Sequence, residues 1–151
     1  MTQKITPFLW FDNNAEEAME FYTSIFKDSQ IKGVHRMGET VLTGTFDLNG
    51  QEFMVLNGGP RFKFTEAISL FVQCENQEEV DRYWNKLVEG GQPQQCGWLK
   101  DRFGLSWQII PKALGELLGD KDPAKSKRVM DAMLQMQKIE VAKLQEAYAG
   151  N

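Results

Sequence analysis

The sequence predicts an α+β fold in which two similar strand–helix–strand units are followed by a long C-terminal helix. Two amphipathic helical patterns alternate with short β-type segments along the first three quarters of the chain. The order of elements in the first half returns in the second, which is typical of an internal repeat. At 151 residues, with 42% hydrophobic and 25% charged residues, the chain has the length and composition of one ordinary globular domain.

The first unit covers approximately residues 1–58 and is predicted to contain a strand, a helix and three more strands. Residues 5–11 form an apolar strand that ends at the turn-forming residues 12–14. Residues 15–26 carry an apolar stripe at helical spacing, with Glu16 and Glu17 near the positive end of the helix dipole. Strands follow at about 30–36, 40–48 and 52–56, and Asn49-Gly50 predicts a hairpin turn between the last two.

The second unit covers residues of about 67–111 and repeats this order. A strand at 68–72 precedes an amphipathic helix at 77–88, and Gly90-Gly91 ends that helix. A shift of 62 positions aligns the two helices without a gap and places Phe21-Tyr22 over Tyr83-Trp84. Any two amphipathic helices share some features. The common order of acidic start, aromatic pair and apolar tail nevertheless favours a repeat.

A hairpin closes the second unit. Residues 101–104, with the sequence Asp-Arg-Phe-Gly, form a tight turn because Asp can bond to nearby backbone and Gly tolerates positive φ. The strand that follows alternates between two faces. Leu105, Trp107 and Ile109 share one face, Ser106, Gln108 and Ile110 share the other, and Pro111 ends the strand.

One long helix is predicted over residues of about 123–149. Asp122-Pro123 supplies an N-cap and a proline at the first helical position. Met133, Met136 and Leu144 belong to an apolar stripe that requires a covering surface. That surface is either the chain's own sheet or a second subunit, and the sequence leaves both alternatives open.

These motifs resemble those of the vicinal-oxygen-chelate superfamily, which includes glyoxalases, bleomycin- and fosfomycin-resistance proteins and extradiol dioxygenases. The resemblance narrows to the PhnB-like branch, whose members are often labelled 3-demethylubiquinone-9 3-methyltransferase. It implies two βαβββ-type units that form curved mixed sheets around a cleft, the glyoxalase/bleomycin-resistance fold. The motifs that carry it are the D-x-F-G-x-x-W-Q hairpin within residues 96–111, Asn57-Gly58-Gly59-Pro60, Ser69, Tyr83-Trp84, Gly90-Gly91 and the pattern of residues 129–144.

Enzymes of this superfamily hold a divalent metal with His and Glu side chains from the first strand of each half and from the last strand. In this sequence those positions fall on Thr6 or Pro7, near Ala67, and on Gln108, where active members carry Glu. A strong divalent site requires imidazole or carboxylate ligands. His35 is the only histidine and stands alone on a predicted strand. We therefore predict no catalytic metal and no cofactor.

The implied cleft is predicted to bind a small molecule. Its wall would be aromatic with a few neutral hydrogen-bonding groups, which suits a flat or apolar ligand. The alternative is that several of these aromatic side chains only fill the core. The predicted ligand-binding residues are Phe8, Trp10, Asn57, Ser69, Phe71, Trp98, Ser106 and Gln108.

Three functions follow from these observations. The first is a metal-free protein that binds an apolar or aromatic small molecule. The second is an enzyme that acts on a quinone-like or other conjugated substrate through Gln108 and Asn57. The third is a partner-binding module that uses the terminal helix.

Two kinds of catalysis gain no support from the sequence. Residues 12–15 after the first strand contain no glycine, so the sequence predicts no S-adenosylmethionine loop. No histidine stands near Cys96 to activate it.

Composition limits the partners. A net charge of −4 argues against nucleic acid, and no apolar run is long enough to span a bilayer. We expect a cytoplasmic protein that forms a homodimer and has no membrane partner.

Cys74 and Cys96 lack the spacing of a metal or redox motif, so we expect both to be reduced and structural.

Overall fold

The computed structural model describes residues 4–150, and the chain divides into two compact units. Unit 1 is Met1–Phe64 and unit 2 is Thr65–Asn151. Within the described residues, each unit contains a four-stranded mixed sheet, and five helices accompany the two sheets. This is the predicted α+β class.

From residue 4 onwards, unit 1 consists of one helix on one four-stranded sheet. Its elements are β1 (Phe8–Phe11), α1 (Ala15–Ile25), β2 (Gln30–Met37), β3 (Thr40–Leu48) and β4 (Gln51–Asn57). The strand order is β1-β4-β3-β2, in which β1 and β4 are parallel and the other pairs are antiparallel. Helix α1 packs on the sheet over Gly44, where an added Cβ would lie 2.7 Å from the terminal methyl carbon of Met19. Glycine at this position therefore permits close packing between the helix and the sheet.

Unit 2 begins with the same arrangement. Its first elements are β5 (Ser69–Cys74), α2 (Gln77–Leu87), β6 (Gln92–Pro93), β7 (Trp98–Lys100) and β8 (Ser106–Pro111). The strand order β5-β8-β7-β6 matches that of unit 1, and β5 and β8 are parallel. Helices α1 and α2 both have 11 residues and begin and end 62 positions apart. The structure thus confirms the predicted repeat.

The turn before β8 is organised by a buried carboxylate. Asp101 is 3% exposed, and its Oδ1 accepts hydrogen bonds from the backbone N–H of Phe103 and Leu105 at 2.8 and 3.0 Å. Its Oδ2 accepts a hydrogen bond from the indole of Trp107. Gly104 has a φ of +90°, which explains why glycine suits this position.

The C-terminal segment differs from the prediction. Three helices follow β8, namely α3 (Lys112–Leu118), α4 (Pro123–Met133) and α5 (Val141–Ala149). The prediction of one helix over 123–149 is therefore wrong, and α3 was not predicted. The break occurs because the carbonyl groups of Met136 and Gln137 accept hydrogen bonds from the backbone N–H of Cys96 and Gly97, both at 2.8 Å.

The C-terminal helices pack on their own unit. Their buried side chains form one apolar cluster, against which Ile110 of β8 packs. Gln77 of α2 fixes the start of α5, because its Oε1 accepts a hydrogen bond from the N–H of Val141 at 2.7 Å and its Nε2 donates to the carbonyl of Ile139. Packing within the chain is therefore the alternative that the structure supports. The buried members of the cluster are Leu114, Val129, Met136, Ile139 and Leu144.

Candidate functional site

Five of the eight predicted ligand-binding residues share one face of the sheet in unit 2. Ser69 is paired with Ser106, Phe71 with Gln108, and Trp98 also with Gln108. Residues that stand directly opposite each other on neighbouring strands project to the same side of a sheet. The other side of this sheet carries the buried residues Leu99, Trp107 and Ile109 and packs against α2. The five residues therefore form one surface on the side away from the helix, which we call the open face.

The open face combines an exposed ring with neutral polar groups. Phe71 is 58% exposed, whereas Trp98 and Gln108 are half-buried. The amide Nε2 of Gln108 donates a hydrogen bond to the hydroxyl of Ser69 at 3.0 Å. Ser106 is fully buried, and within residues 4–150 its hydroxyl has no hydrogen-bond partner. A buried hydroxyl without a partner is rare in folded proteins and requires an explanation.

An ion pair on the same face was not predicted. Lys100 is paired with Ser106 across β7 and β8, so its side chain lies on the open face. Its ammonium is 3.1 Å from a carboxylate oxygen of Glu66 in the segment before β5. The hydrogen bond from Lys100 holds the pKa of Glu66 below its usual value. Strand alternation two residues beyond Trp98 would have identified Lys100, whereas Glu66 belongs to a loop without a periodic signal.

The two predicted aromatic residues of unit 1 lie on the corresponding face of their own sheet. Phe8 is paired with Met54 and Trp10 with Leu56, on the side away from α1. Phe8 is 51% exposed. Trp10 is half-buried, and its indole N–H donates to the carbonyl of Gly59 at 2.9 Å. Trp10 therefore has a structural role as well as a partly accessible ring.

The loop after β4 covers Trp10. The rings of Trp10 and Phe62 meet edge to face with centroids 4.9 Å apart. Gly58 lies so close that an added Cβ would be 2.7 Å from the Cη2 of Trp10 and closer to two other ring atoms. This contact accounts for glycine in the predicted Asn-Gly-Gly-Pro motif.

Asn57 lies on the opposite face from Phe8 and Trp10. It is paired with the buried Phe11, and its Oδ1 accepts a hydrogen bond from the N–H of Ala15 at the start of α1. Its Nδ2 donates to the carbonyl of Val41 at 2.9 Å. Both contacts fix α1 and β3 to β4. The structure therefore does not bring Asn57 together with the other predicted site residues.

The donor atoms at the superfamily's metal positions do not fit a divalent ion. Thr6, Pro7 and Ala67 offer no imidazole or carboxylate, and Gln108 offers only a neutral amide. Among the described residues, no three His, Cys, Asp or Glu side chains lie close enough to hold a metal. His35 is exposed on β2.

Both cysteines are free thiols. Cys74 lies at the end of β5 and is fully buried. Burial, with a smaller contribution from the charge of Glu79, raises the pKa of the Cys74 thiol to about 12. Cys74 is therefore protonated at neutral pH and unsuited to nucleophilic chemistry. Cys96 is half-buried, has a φ of +60° and lies two residues before β7 begins at Trp98.

A separate groove of about 1270 Å³ lies between α2 and the C-terminal segment. None of the eight predicted residues lines it. Charged and amide side chains dominate its wall, which does not match the predicted aromatic site. Its lining residues are Gln77, Asp81, Gln95, Ala132, Gln135, Met136, Gln137, Lys138, Glu140, Val141, Ala142 and Lys143.

No helix within residues 4–150 has the length and apolar character needed to cross a bilayer.

Comparison with known proteins relates the sequence to one family. A family model described as 3-demethylubiquinone-9 3-methyltransferase matches residues 3–110, so α3, α4 and α5 lie outside the matched segment. A putative 3-demethylubiquinone-9 3-methyltransferase, PhnB protein, from Bacillus cereus is 43% identical with a TM-score of 0.69. That alignment covers 72% of this chain and 99% of the other. No curated protein matches.

More distant solved structures share the fold. Protein PA1353 from Pseudomonas aeruginosa is 20% identical with a TM-score of 0.63, and the alignment covers 73% of this chain and 98% of that one. The fosfomycin resistance protein FosX from Listeria monocytogenes, solved with Mn(II) and sulfate, is 14% identical with a TM-score of 0.50. Its alignment covers 71% of this chain and 88% of FosX. A glyoxylase/bleomycin resistance protein/dioxygenase domain from Frankia also shares the fold, with a TM-score of 0.50 and 15% sequence identity. That alignment covers 74% of this chain and 93% of the Frankia domain.

Proposed function

Because the chain belongs to the 3-demethylubiquinone-9 3-methyltransferase family, a PhnB-like branch with the glyoxalase/bleomycin-resistance fold, we propose that it is a metal-free protein that binds a flat apolar or aromatic small molecule. The observation that carries this proposal is the open face of unit 2. There an exposed phenylalanine ring stands opposite a glutamine amide that is itself hydrogen-bonded to a serine.

The exposed ring favours an aromatic ligand. A large apolar side chain that is 58% exposed on a strand loses contact with water when a flat molecule covers it. Ring–ring stacking adds to that gain, and Trp98 on β7 extends the aromatic surface across Gln108. The amide of Gln108 then fixes the orientation of the ligand through one hydrogen bond. One or two such polar contacts beside an apolar surface are usual in small-molecule sites.

We propose a metal-free site because the side chains at the superfamily's metal positions lack suitable donor atoms. The position where active members carry Glu holds Gln108, whose amide is neutral and already donates to Ser69. A neutral amide alone does not compensate the charge of a divalent ion. The Mn(II) in the FosX structure belongs to that protein.

Ligand binding can be tested with a panel of aromatic and apolar compounds in a thermal-shift assay. We expect stabilisation by at least one flat compound, unchanged by a chelator. Phe71→Ala should weaken binding about tenfold or more, because it removes the stacking surface. Leu134→Ala, at a residue that is 51% exposed outside the open face, is the matched control and should leave binding unchanged. A purified protein that retains stoichiometric zinc, manganese or iron would contradict the metal-free proposal.

A second candidate is an enzyme that acts on a quinone-like or other conjugated substrate. The description of the family favours it, as does the polar group of Ser69, Ser106 and Gln108 beside an exposed ring. Methyl transfer from S-adenosylmethionine gains no support from the loop after β1, which contains no glycine. A turnover assay on wild type and Gln108→Ala separates the candidates. A binding protein shows no turnover in either, whereas an enzyme loses activity in the variant.

A further inference from the structure

We infer that the open face of unit 2 selects aromatic ligands that carry a carboxylate, and that Lys100 recognises this carboxylate by exchanging it for Glu66. The inference rests on the proposed function, because it names the class of small molecule that the same face binds. Its three supports are the position of Lys100, the exposure of its ion pair and the unpartnered hydroxyl of Ser106.

Lys100 supplies the positive charge of the open face. Among the described strand residues of this face, it is the one cation, and the others are aromatic, aliphatic or neutral polar side chains. Lys100 follows Trp98 by two residues on β7, which places the two about 7 Å apart along one side of the strand. A lysine side chain is long enough to span that distance. An aromatic ring beside Trp98 can therefore bring an attached carboxylate to the ammonium of Lys100.

The partner of Lys100 can be replaced at low cost. The side chain of Glu66 is 52% exposed and that of Lys100 29% exposed. Ion pairs open to solvent contribute little to stability because water competes with both charges. When a ligand carboxylate reaches Lys100, the side chain of Glu66 gives up its hydrogen bonds with Lys100, Gln94 and its own backbone, turns into solvent and keeps its charge hydrated. In the ligand-free protein, Glu66 thus occupies the place that a ligand carboxylate would take.

Ser106 provides an independent reason to expect an oxygen-bearing ligand here. Its hydroxyl is fully buried and has no hydrogen-bond partner among the described residues. Strand pairing places Ser106 between Ser69 and Lys100 on the open face. A buried donor without a partner is unfavourable until a suitable acceptor arrives. Because Lys100 and Ser106 are directly paired, a carboxylate bound to Lys100 can supply that acceptor once the groups that cover the hydroxyl move aside.

The test compares 2-naphthoate with 2-naphthamide, which has the same ring and a similar shape but no charge. Isothermal titration calorimetry on wild type should show 2-naphthoate binding about tenfold tighter, the gain of one charge-assisted contact. Lys100→Met retains most of the side-chain length and should remove this preference, so that the two compounds bind with similar affinity. Glu66→Gln removes the competing carboxylate and should tighten binding of 2-naphthoate severalfold.

The controls separate this inference from the proposed function. Lys112→Met breaks a comparable exposed pair with Glu75 outside the open face and should leave both affinities unchanged. Should Lys100→Met fail to fold, Glu66→Gln tests the same exchange in the opposite direction. Equal affinities for the two compounds, unaffected by either variant, would overturn the inference and leave the proposed function standing. Failure of both compounds to bind wild type would count against both.

Discussion

The indole N–H of Trp107 donates a hydrogen bond of 2.9 Å to Oδ2 of Asp101, and both side chains are buried. This contact joins the first and last residues of the D-x-F-G-x-x-W motif. The other carboxylate oxygen of Asp101 accepts from the backbone at Phe103 and Leu105. The motif therefore specifies a turn and ties it to β8, and its residues stabilise the sheet that carries the open face.

Asp101→Asn should destabilise unit 2 by about 1–3 kcal/mol, because the new amide would turn an N–H₂ group towards buried N–H donors. Urea denaturation followed by circular dichroism measures the change. Asp131→Asn is the matched control, since Asp131 is exposed and paired with Lys127. That variant should change the free energy of unfolding by less than about 1 kcal/mol. Equal changes in the free energy of unfolding for the two substitutions would show that the buried hydrogen bonds of Asp101 do not stabilise unit 2.

Gln77→Ala should loosen the C-terminal helices, because the side chain of Gln77 caps α5 and bonds to the carbonyl of Ile139. We expect a loss of about 1–2 kcal/mol and faster amide hydrogen exchange in α5. Gln145→Ala, at an exposed position on α5, is the control and should leave exchange in that helix nearly unchanged. If exchange in α5 stays slow in Gln77→Ala, the cap does not hold the helix.

Gly58→Ala should displace the indole of Trp10, since the added methyl group would overlap three of its ring atoms. The hydrogen bond from Trp10 to Gly59 would weaken with it, and we expect about 1–3 kcal/mol of destabilisation and altered tryptophan fluorescence. Gly33→Ala, with no atom within 4 Å of the new Cβ, should have an effect of less than about 0.5 kcal/mol. An unchanged fluorescence spectrum in Gly58→Ala would contradict this contact.

Stability should fall in alkaline solution because of Cys74. The folded protein holds the thiol protonated up to a pKa of about 12, whereas in the unfolded chain it ionises from about pH 9 upwards. The native state therefore binds more protons in this range, so the free energy of unfolding decreases as pH rises from about 9 to about 12. Below about pH 9 this contribution is fully present.

Urea midpoints measured at several pH values on wild type and Cys74→Ala check this dependence. The variant should lose stability overall, because it leaves a small cavity, but its decline in alkaline solution should be shallower. Cys96→Ala is the control and should keep the steeper decline. Parallel curves for wild type and Cys74→Ala would exclude the thiol as the source.

The homodimer stays a prediction and needs a test that leaves unit 2 intact. Removing the residues after Pro123 would expose Leu114 and Ile110, so truncation would disturb folding as well as assembly. Sedimentation of the intact chain should give twice its mass of 17.3 kDa. If α4 forms the interface, Met130→Glu combined with Leu134→Glu, at two exposed apolar positions, should yield monomers. Met37→Glu, at a residue that is 69% exposed on β2, is the control. A monomeric wild type would show that the prediction is wrong.

Local patterns predicted most of the fold. The alternation of apolar residues located the strands, and the helical stripes placed α1 and α2 within one residue of their observed ends. The strand predicted at 5–11 is shorter, Phe8–Phe11, because Pro7 has no N–H to donate to the ladder. The single predicted C-terminal helix failed for a different reason. Met136 and Ile139 continue the apolar pattern through the break, so a buried irregular segment looks like a helix in sequence.

The candidate site was predictable where it depends on strand alternation. Ser69, Phe71, Ser106 and Gln108 share a face as expected, because β5 and β8 are regular and in register. The position of Asn57 was not predicted correctly. This residue follows Leu56 by one residue and so points to the opposite face, where it caps α1. Glu66 could not be assigned from the sequence, since a loop residue gains its partner only from the three-dimensional fold.

The parallel pairing of β1 with β4 has a mechanical consequence. These strands are the first and last of unit 1, and they lie side by side from Phe8 opposite Met54 to Phe11 opposite Asn57. A force that stretches the unit from its two ends pulls parallel neighbours in opposite directions along their axes. It therefore loads the whole ladder in shear, and the hydrogen bonds must break together, not one after another as when a hairpin is peeled apart.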